Sequence, residues 1–288
     1  MCPPEHFAVT YAINPWMDPA QWSHDARALA ATAQNEWERL RGALRDLGAT
    51  IELVAPLPGL PDLVFTANSA VVLDRKALLA RFRHRERQLE EPPYASAFDA
   101  LRTRGLIDET FTLPAGIVLE GAGDCVWDKT RGLFWMGYGQ RSDASARRAV
   151  EAIYGVETLA LELVDPRFYH LDTALCPLPR GEIMYVPEAF SVAGRDVIAS
   201  NVSSAQRIEV APDDACRLAA NCVALGDALV LSACGDFLRE NLRARGYRVI
   251  ETGLSAFRRS GGAAFCLTLR LDCSTTLALA DPVAVGAA

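Results

Sequence analysis

The sequence lacks three patterns that would point to common classes of protein. It has no C-x-x-C pair of cysteines, no block of basic residues and no uninterrupted apolar stretch of the roughly 18 residues that a membrane span requires. These absences argue against a zinc module, a nucleic-acid-binding protein and a membrane protein. We therefore expect neither nucleic acid nor a membrane among its partners.

Basic residues are also fewer than acidic ones, since 36 Asp and Glu stand against 29 Lys and Arg and give a formal charge of −7. The N-terminal segment MCPPEHF has no positive stretch followed by an apolar one, as a secretory signal would. These features predict a cytoplasmic protein, and nothing in the pattern calls for a metal or another cofactor. Formation of a homo-oligomer is left open.

Eight cysteines are present, and in a cytoplasmic chain most of them should be reduced, buried side chains. No histidine stands at zinc-ligand spacing from any of them. They occupy positions 2, 125, 176, 216, 222, 234, 266 and 273. The question for function is which of these thiols is reactive.

The chain contains an internal repeat with a period of about fifty residues, in which a helical stretch runs into a β-rich strand. The copies cover residues 40–54, 98–113, 149–163, a weaker 196–210, and 237–254. A glycine is expected to end the helix in a left-handed conformation in four copies. These helix stops are Gly48, Gly105, Gly155 and Gly246.

Each of these strands is followed by a loop and a second apolar strand, so every copy is a small α/β unit. Five such units related by rotation would close into a ring with one polar feature of each unit at its centre. Residues at matching positions in four units are Asn68, Glu120, His170 and Cys266. We predict one α/β catalytic domain over residues 1–273 and a strand or tail at 274–288.

Cys266 is the candidate nucleophile. It follows paired glycines in SGGAAFCLTL, which allow a ligand to approach the backbone closely, and Ala263 in the same turn is a candidate for lining the pocket. A nucleophilic thiol needs a basic or cationic partner, and His170 is the candidate among four histidines. Because a single cysteine and a single histidine are weak evidence, the pairing rests on the register of the repeats.

Three acids are candidates for the same cavity. The spacing of His170 and Asp172 puts both side chains on one face of an extended segment, although a core histidine satisfied by a carboxylate is an alternative. Glu120 and Asp124 lie where an apolar strand ends in EGAGD, and a turn capped by the aspartate is the alternative there. A dinucleotide site is not indicated, because the third glycine is missing and no helix follows.

Two acids, an imidazole and a thiolate together suit a planar guanidinium. Carboxylates bind this group in bidentate geometry, which would turn its carbon toward the sulfur. Arg87 or Arg141 could hold the carboxylate of an amino-acid substrate, while a solvated surface arginine is the common alternative. The expected partner is therefore a small guanidino compound.

These motifs resemble those of the guanidine-modifying superfamily, which contains arginine deiminases, dimethylarginine dimethylaminohydrolases, amidinotransferases and arginine dihydrolases. EGAGD, HLDT and GGAAFC follow its order of acid, histidine and cysteine motifs. The opening MCPPEHF with YAINPWM is most similar to the arginine dihydrolase and dimethylargininase-like branch. The resemblance spans residues 2–272 and implies a five-bladed α/β propeller of ββαβ repeats, in agreement with the repeat count.

The resemblance also implies roles for the matching residues. Cys266 would be the nucleophile and His170 the general acid and base. Glu120 and Asp172 would bind the guanidinium, and Asp124 beside them is a further substrate-binding candidate.

The substrate carboxylate is assigned by the same resemblance to Arg141 and to Arg87, which Glu90 follows, and Asn14 in the opening motif would line the pocket. The sequence departs from the family in FTANS, since deiminases typically have F-x-R-D there. Asn68 thus replaces a guanidinium-binding aspartate, unless it is a simple turn asparagine. An aspartate would favour release of citrulline, whereas an amide can hold the neutral ureido group for a second attack.

We therefore expect an arginine dihydrolase that forms ornithine, carbon dioxide and two ammonia through a covalent thiouronium intermediate. The alternatives are a dimethylarginine dimethylaminohydrolase, an arginine deiminase and a catalytically silent propeller that serves as a binding module.

Overall fold

The computed structural model describes residues 1–276, which fold into short helices and small sheets. The predicted tail at 274–288 lies outside the described residues from position 277 onward. The α-helices are α1 Pro19–His24, α2 Ala26–Asp46, α3 Arg85–Gln88, α4 Glu91–Thr103, α5 Ala146–Tyr154, α6 Val192–Asn201, α7 Pro212–Ala215, α8 Asp236–Ala244 and α9 Ser255–Arg258. No helix within residues 1–276 combines the length and the apolar character that crossing a membrane requires.

Residues 1–276 contain four sheets of three strands each, and all four are built in the same way. The strands are β1 Ala70–Leu73, β2 Lys76–Leu79, β3 Glu109–Phe111, β4 Cys125–Asp128, β5 Leu133–Tyr138, β6 Thr158–Glu162, β7 Leu175–Pro177, β8 Ile183–Tyr185, β9 Arg207–Glu209, β10 Val223–Leu225, β11 Ala228–Leu231 and β12 Arg248–Glu251. In each sheet an antiparallel hairpin is followed by a helix and then by a strand parallel to the middle one. This arrangement confirms the predicted ββαβ repeat.

The predicted helix stops are also confirmed. Gly48, Gly105, Gly155 and Gly246 all have left-handed backbone, with φ of +89°, +71°, +67° and +85°. The weaker copy has no such glycine, and its helix α6 ends at Asn201 with extended backbone at the following residue. Glycine adopts this conformation without the steric cost that a Cβ imposes, so it ends the helix and turns the chain toward the next strand.

The fifth unit is assembled from both ends of the described chain and departs from the sequence prediction. Neither 49–54 nor GGAAFCLTLRL forms a regular strand. The backbone N–H groups of Phe265 and Cys266 are bonded to the side chain of Asn221, and Leu267 N–H bonds Ala263 O at 3.2 Å. Because these donors serve a side chain and a helical turn, they are not available to a neighbouring strand.

Aromatic packing joins the two halves of this fifth unit. Phe7 stacks on Phe257 with ring centroids 4.8 Å apart, and Trp22 and Phe65 meet Phe7 edge-on at 5.2 and 5.8 Å. All four rings are buried, and their packing contributes to the stability of the closed ring beyond the area they bury.

A buried carboxylate also links the two halves of the fifth unit and so helps to close the ring. Glu36 of α2 is 3% exposed, and its Oε1 accepts hydrogen bonds from the backbone N and the hydroxyl of Ser255, both at 2.7 Å. Its Oε2 accepts a third bond from the backbone N of Ala256 at 3.0 Å. The anion therefore satisfies the first N–H groups of α9, which carry the positive end of that helix.

We expect Glu36→Ala to lower the free energy of unfolding by roughly 2–4 kcal/mol, because one buried and two partly buried donors would lose their acceptor. Urea unfolding followed by tryptophan fluorescence measures the change. Glu38→Ala is the matched control. Glu38 is an exposed residue of the same helix that, within residues 1–276, pairs only with Arg41, so its loss should cost less than about 0.5 kcal/mol. An equal effect of both substitutions would contradict the role of Glu36 in closure.

Candidate active site

The loops that lead into the hairpins meet at the centre of the ring. Residues 66–69, 121–123 and 171–173 each form a 3₁₀ turn directly before or close to the first strand of a unit. The turns bring Asn68 Nδ2 to 3.3 Å from Glu120 O and to 3.5 Å from His170 Nδ1. Gly123 lies against this contact, because a Cβ there would stand 2.1 Å from the Asn68 amide nitrogen. Three of the four residues at matching positions in the repeats are thus in one buried cluster.

Glu120 and His170 form a buried pair, with Oε2 and Nε2 2.7 Å apart. Burial alone would raise the pKa of Glu120, but Arg141, whose Nη1 lies 3.0 Å from the same oxygen, and His170 outweigh burial and hold the pKa well below its usual range. Burial lowers the pKa of His170 to about 4 against the opposing effect of Glu120. His170 is then neutral with its proton on Nε2, so Nδ1 is a proton acceptor.

Cys266, the fourth of these residues, has two polar partners. Its Sγ lies 3.1 Å from Oδ2 of Asp172 and 3.0 Å from Nδ2 of Asn221, and the residue is 2% exposed. Burial raises the pKa of the thiol well above its ordinary value, and the neighbouring Asp172 raises it further. The free site therefore holds a protonated thiol that donates to the carboxylate.

Asp172 has an unused oxygen. Burial raises the pKa of its carboxyl group to about 7, although bonds from Cys266 and Asn221 oppose this shift. Its Oδ1 is buried and has no hydrogen-bond partner among residues 1–276. A buried acceptor without a partner is costly, so this oxygen is suited to receive an N–H of a bound ligand.

The two predicted carboxylate-binding arginines are buried next to these residues, and both donate hydrogen bonds to other parts of the protein. Arg87 bonds both oxygens of Glu90 at 2.9 and 2.8 Å and Oδ1 of Asn68 at 2.9 Å. Arg141 bonds Glu120, and its guanidinium lies 4.5 Å from the ring centroid of Tyr169. In this structure the arginines support Asn68 and Glu120, and their binding of a substrate carboxylate stays a prediction.

The remaining predicted residues hold the loops together. Asn14 donates to Ser260 O at 3.0 Å and accepts from the backbone N of Trp16. Asp124 accepts from the Ser142 hydroxyl at 2.6 Å and from the backbone N of Leu171 at 3.0 Å, next to His170. Both carboxylate oxygens of Asp124 thus serve loop contacts.

Ala263 is fully buried in the turn that carries Cys266. Burial and Asp172 raise the pKa of the Cys266 thiol, and the backbone N–H of Ala263 opposes them. Among residues 1–276, no group of three or more His, Cys, Asp and Glu side chains is arranged to hold a metal ion.

Sequence reasoning missed Asn221, Asp62 and Tyr169. Asn221 begins NCVALGDALVL, the loop and strand of the fourth unit, so the repeat register could have identified it. Asp62 is buried and accepts from the hydroxyl of Tyr11 at 2.8 Å, a long-range contact without a local signal. Tyr169 donates to Gly261 O at 3.0 Å and thereby ties the histidine loop to the cysteine loop.

Comparisons with known proteins identify the family of this chain. A sequence model of a family described as eukaryotic N,N-dimethylarginine dimethylhydrolase matches residues 3–272. The chain is 39% identical over 271 residues to a bifunctional arginine dihydrolase/ornithine cyclodeaminase, AgrE, of Nostoc sp., with 94% of this chain and 37% of the relative aligned. It is 38% identical over 271 residues to an N(G),N(G)-dimethylarginine dimethylaminohydrolase of Mycobacterium tuberculosis, with 94% of this chain and 84% of that protein aligned.

The fold is shared with a solved cyanobacterial structure. The N-terminal domain of ArgZ, an arginine dihydrolase crystallised as a cysteine-to-serine variant with its substrate, superposes with a TM-score of 0.87 at 36% identity and covers 96% of this chain and 98% of that domain. The chain spans little more than a third, 37%, of the two bifunctional cyanobacterial relatives.

The raised pKa of Cys266 predicts slow alkylation at neutral pH. The thiolate is the reactive form, so the iodoacetamide rate at Cys266 should rise about tenfold per pH unit and should not level off below pH 9. Peptide mass spectrometry follows each cysteine separately, and the exposed Cys216 should react first. A plateau below pH 8 at Cys266 would show a thiolate in the free protein and contradict the expectation.

Proposed function

The chain belongs to the N,N-dimethylarginine dimethylhydrolase family, and from this premise we propose that it is an arginine dihydrolase converting arginine to ornithine, carbon dioxide and two ammonia. The observation that carries the proposal is the buried, uncharged amide of Asn68, which lies between Glu120, His170 and Arg87. An amide can both donate to and accept from a neutral ureido group, which a carboxylate cannot do.

Substrate binding would supply the positive charge that the site lacks. The free oxygen of Asp172 and the carboxylate of Glu120 accept N–H groups of the guanidinium and turn its carbon toward Cys266. A cation beside Asp172 and Cys266 also favours their ionised forms, because opposite charges attract strongly where water is excluded. The proton of the thiol then passes to Nδ1 of His170.

The first half of the reaction replaces one nitrogen by oxygen. The thiolate of Cys266 forms a C–S bond, and the tetrahedral adduct collapses as a C–N bond breaks and ammonia leaves with the proton from His170. Water then attacks the thiouronium carbon while neutral His170 accepts a proton from it. Breaking of the C–S bond returns the sulfur and leaves citrulline in the site.

The second half repeats these steps on the ureido carbon. The sulfur attacks again, a second ammonia leaves, and a second water releases the carbamate of ornithine, which breaks down to ornithine and carbon dioxide. One arginine and two waters thus give one ornithine, one carbon dioxide and two ammonia. Asn68 holds the uncharged intermediate between the halves by accepting from and donating to its amide group.

A cytoplasmic location fits the same proposal. All eight cysteines lie within residues 1–276, and none of them forms a disulfide there, as expected in a reducing compartment. The partner is a small guanidino compound. The extent of the catalytic domain, residues 1–273, stays a prediction.

A dimethylarginine dimethylaminohydrolase is the second candidate. It is favoured by the family match and by the Mycobacterium tuberculosis relative, which is 38% identical, close to the 39% of the dihydrolase relative. This enzyme would act on methylated arginine and release citrulline with a methylamine.

The purified protein should convert arginine to ornithine with two ammonia formed per ornithine and without accumulation of citrulline. Amino-acid chromatography and an ammonia assay measure this ratio, and Cys266→Ala should abolish turnover because the covalent step is lost. The same assay with dimethylarginine tests the second candidate. Citrulline as the final product from arginine, or no turnover, would refute the dihydrolase.

Asn68→Asp should stop the reaction after the first half. A carboxylate at this position would pair with Arg87 and keep His170 charged, and it could no longer donate to the neutral intermediate. We expect citrulline to accumulate and the ornithine rate to fall at least about tenfold, a loss of roughly 1.4 kcal/mol.

The matched control for this substitution is Asn201→Asp. Asn201 is an exposed residue at the end of α6, and in the described part of the chain its amide bonds only the backbone O of Val197. Its product ratio should equal that of the unaltered protein. An Asn68→Asp variant that still releases two ammonia per ornithine would remove Asn68 from the choice of product.

A further inference from the structure

Asn221 lies at the junction of three units. It lies just before β10, the first strand of the fourth unit. Its side chain contacts Asp172 of the third unit and Cys266 of the fifth. It is a fully buried polar residue without charge, and it lies outside the EGAGD, HLDT and GGAAFC motifs.

Every hydrogen-bonding position of this amide is occupied. Oδ1 accepts from the backbone N of Phe265 at 2.9 Å and of Cys266 at 3.2 Å. Nδ2 donates to the backbone O of Asp172 at 3.1 Å and to the Sγ of Cys266 at 3.0 Å. Exchanging the nitrogen and the oxygen would put an acceptor against a carbonyl and a donor against two N–H groups, so the partners determine the orientation of the amide.

The contact with sulfur is the unusual part. The thiol of Cys266 donates its proton to Asp172, and Asn221 adds an N–H to the sulfur itself. Hydrogen bonds to a charged acceptor are roughly twice as strong as those between neutral groups, so this N–H stabilises the thiolate more than the thiol.

We propose that Asn221 is a positioning residue that holds the Cys266 sulfur in line with the substrate and stabilises its thiolate. It is the side-chain donor, beside the backbone N–H of Ala263, that helps a deeply buried sulfur to carry a charge between Asp172 and the reacting carbon. The inference rests on the proposed function only for its kinetic part, because thiol reactivity can be measured without substrate.

Asn221→Asp tests the donor while keeping the acceptor. Its oxygen can still bond the N–H groups of Phe265 and Cys266, and these two bonds favour an ionised carboxylate at pH 9. We expect the iodoacetamide rate at Cys266, followed by peptide mass spectrometry at pH 9, to fall about tenfold. A loosened loop would have the opposite effect, because better access speeds alkylation.

Kinetics with arginine provide the second readout. In Asn221→Asp the ascending limb of the kcat against pH profile should move about one pH unit higher. The value of kcat at pH 8 should fall at least about tenfold while KM changes less than about threefold. Asn201→Asp, the exposed control, should change neither alkylation nor the profile.

Asn221→Ala repeats the comparison without an added charge and should also slow alkylation, by about threefold or more. Circular dichroism confirms that each variant is folded. Unchanged or faster alkylation together with an unchanged pH profile would overturn the proposal, as would failure of both variants to fold. Slower alkylation in a protein that does not act on arginine would instead refute the proposed function and leave the role of Asn221 standing.

Discussion

The hydrogen bond between Glu120 and His170 is the interaction on which the centre of this ring depends. Both groups are shielded from water, so the carboxylate needs partners, and it finds them in His170 and Arg141. Removal of Arg141 would leave the buried charge of Glu120 uncompensated, which is far more costly than loss of an exposed pair, and removal of the neutral His170 would take away one of its hydrogen bonds. The pair also determines the proton on His170, because a bond from Nε2 to Glu120 leaves Nδ1 as the acceptor that faces Asn68.

The central residues lie in loops, and the repeats contribute these loops and the sheets that support them. Three of the hairpins follow a 3₁₀ turn that contributes to the buried cluster, and the helix after each hairpin returns the chain to the same sheet. The fifth unit must be completed by segments far apart in sequence, which Glu36 and the ring of Phe7 hold together. The stability of the closure therefore acts directly on the loop that carries Cys266, because α9 leads into that loop.

Much of this architecture is encoded locally and could be predicted. A left-handed glycine after a helix, as at Gly155, is a local signal, and the register of the repeats is enough to predict that His170 and Asn68 meet. The absent strands of the fifth unit could not be predicted, because strand formation depends on a partner edge and here the side chain of Asn221 takes the N–H groups. Asn221 has no sequence signal apart from its place in the repeat, because an asparagine before a strand is common in turns.

The charges around Asn68 are balanced in the free protein. Arg87 is paired with Glu90, and Arg141 with Glu120, whereas Asp172 has no cationic partner among residues 1–276, and burial raises its pKa to about 7. In the proposed reaction a guanidinium would add the cation that ionises this acid, and charge would drive the first attack. Citrulline carries no charge on its ureido group, so its retention would depend on hydrogen bonds alone. A neutral amide at position 68 suits both the charged guanidinium and the neutral citrulline. It leaves the balance of buried charge unaltered, and it offers the ureido group of citrulline a donor and an acceptor.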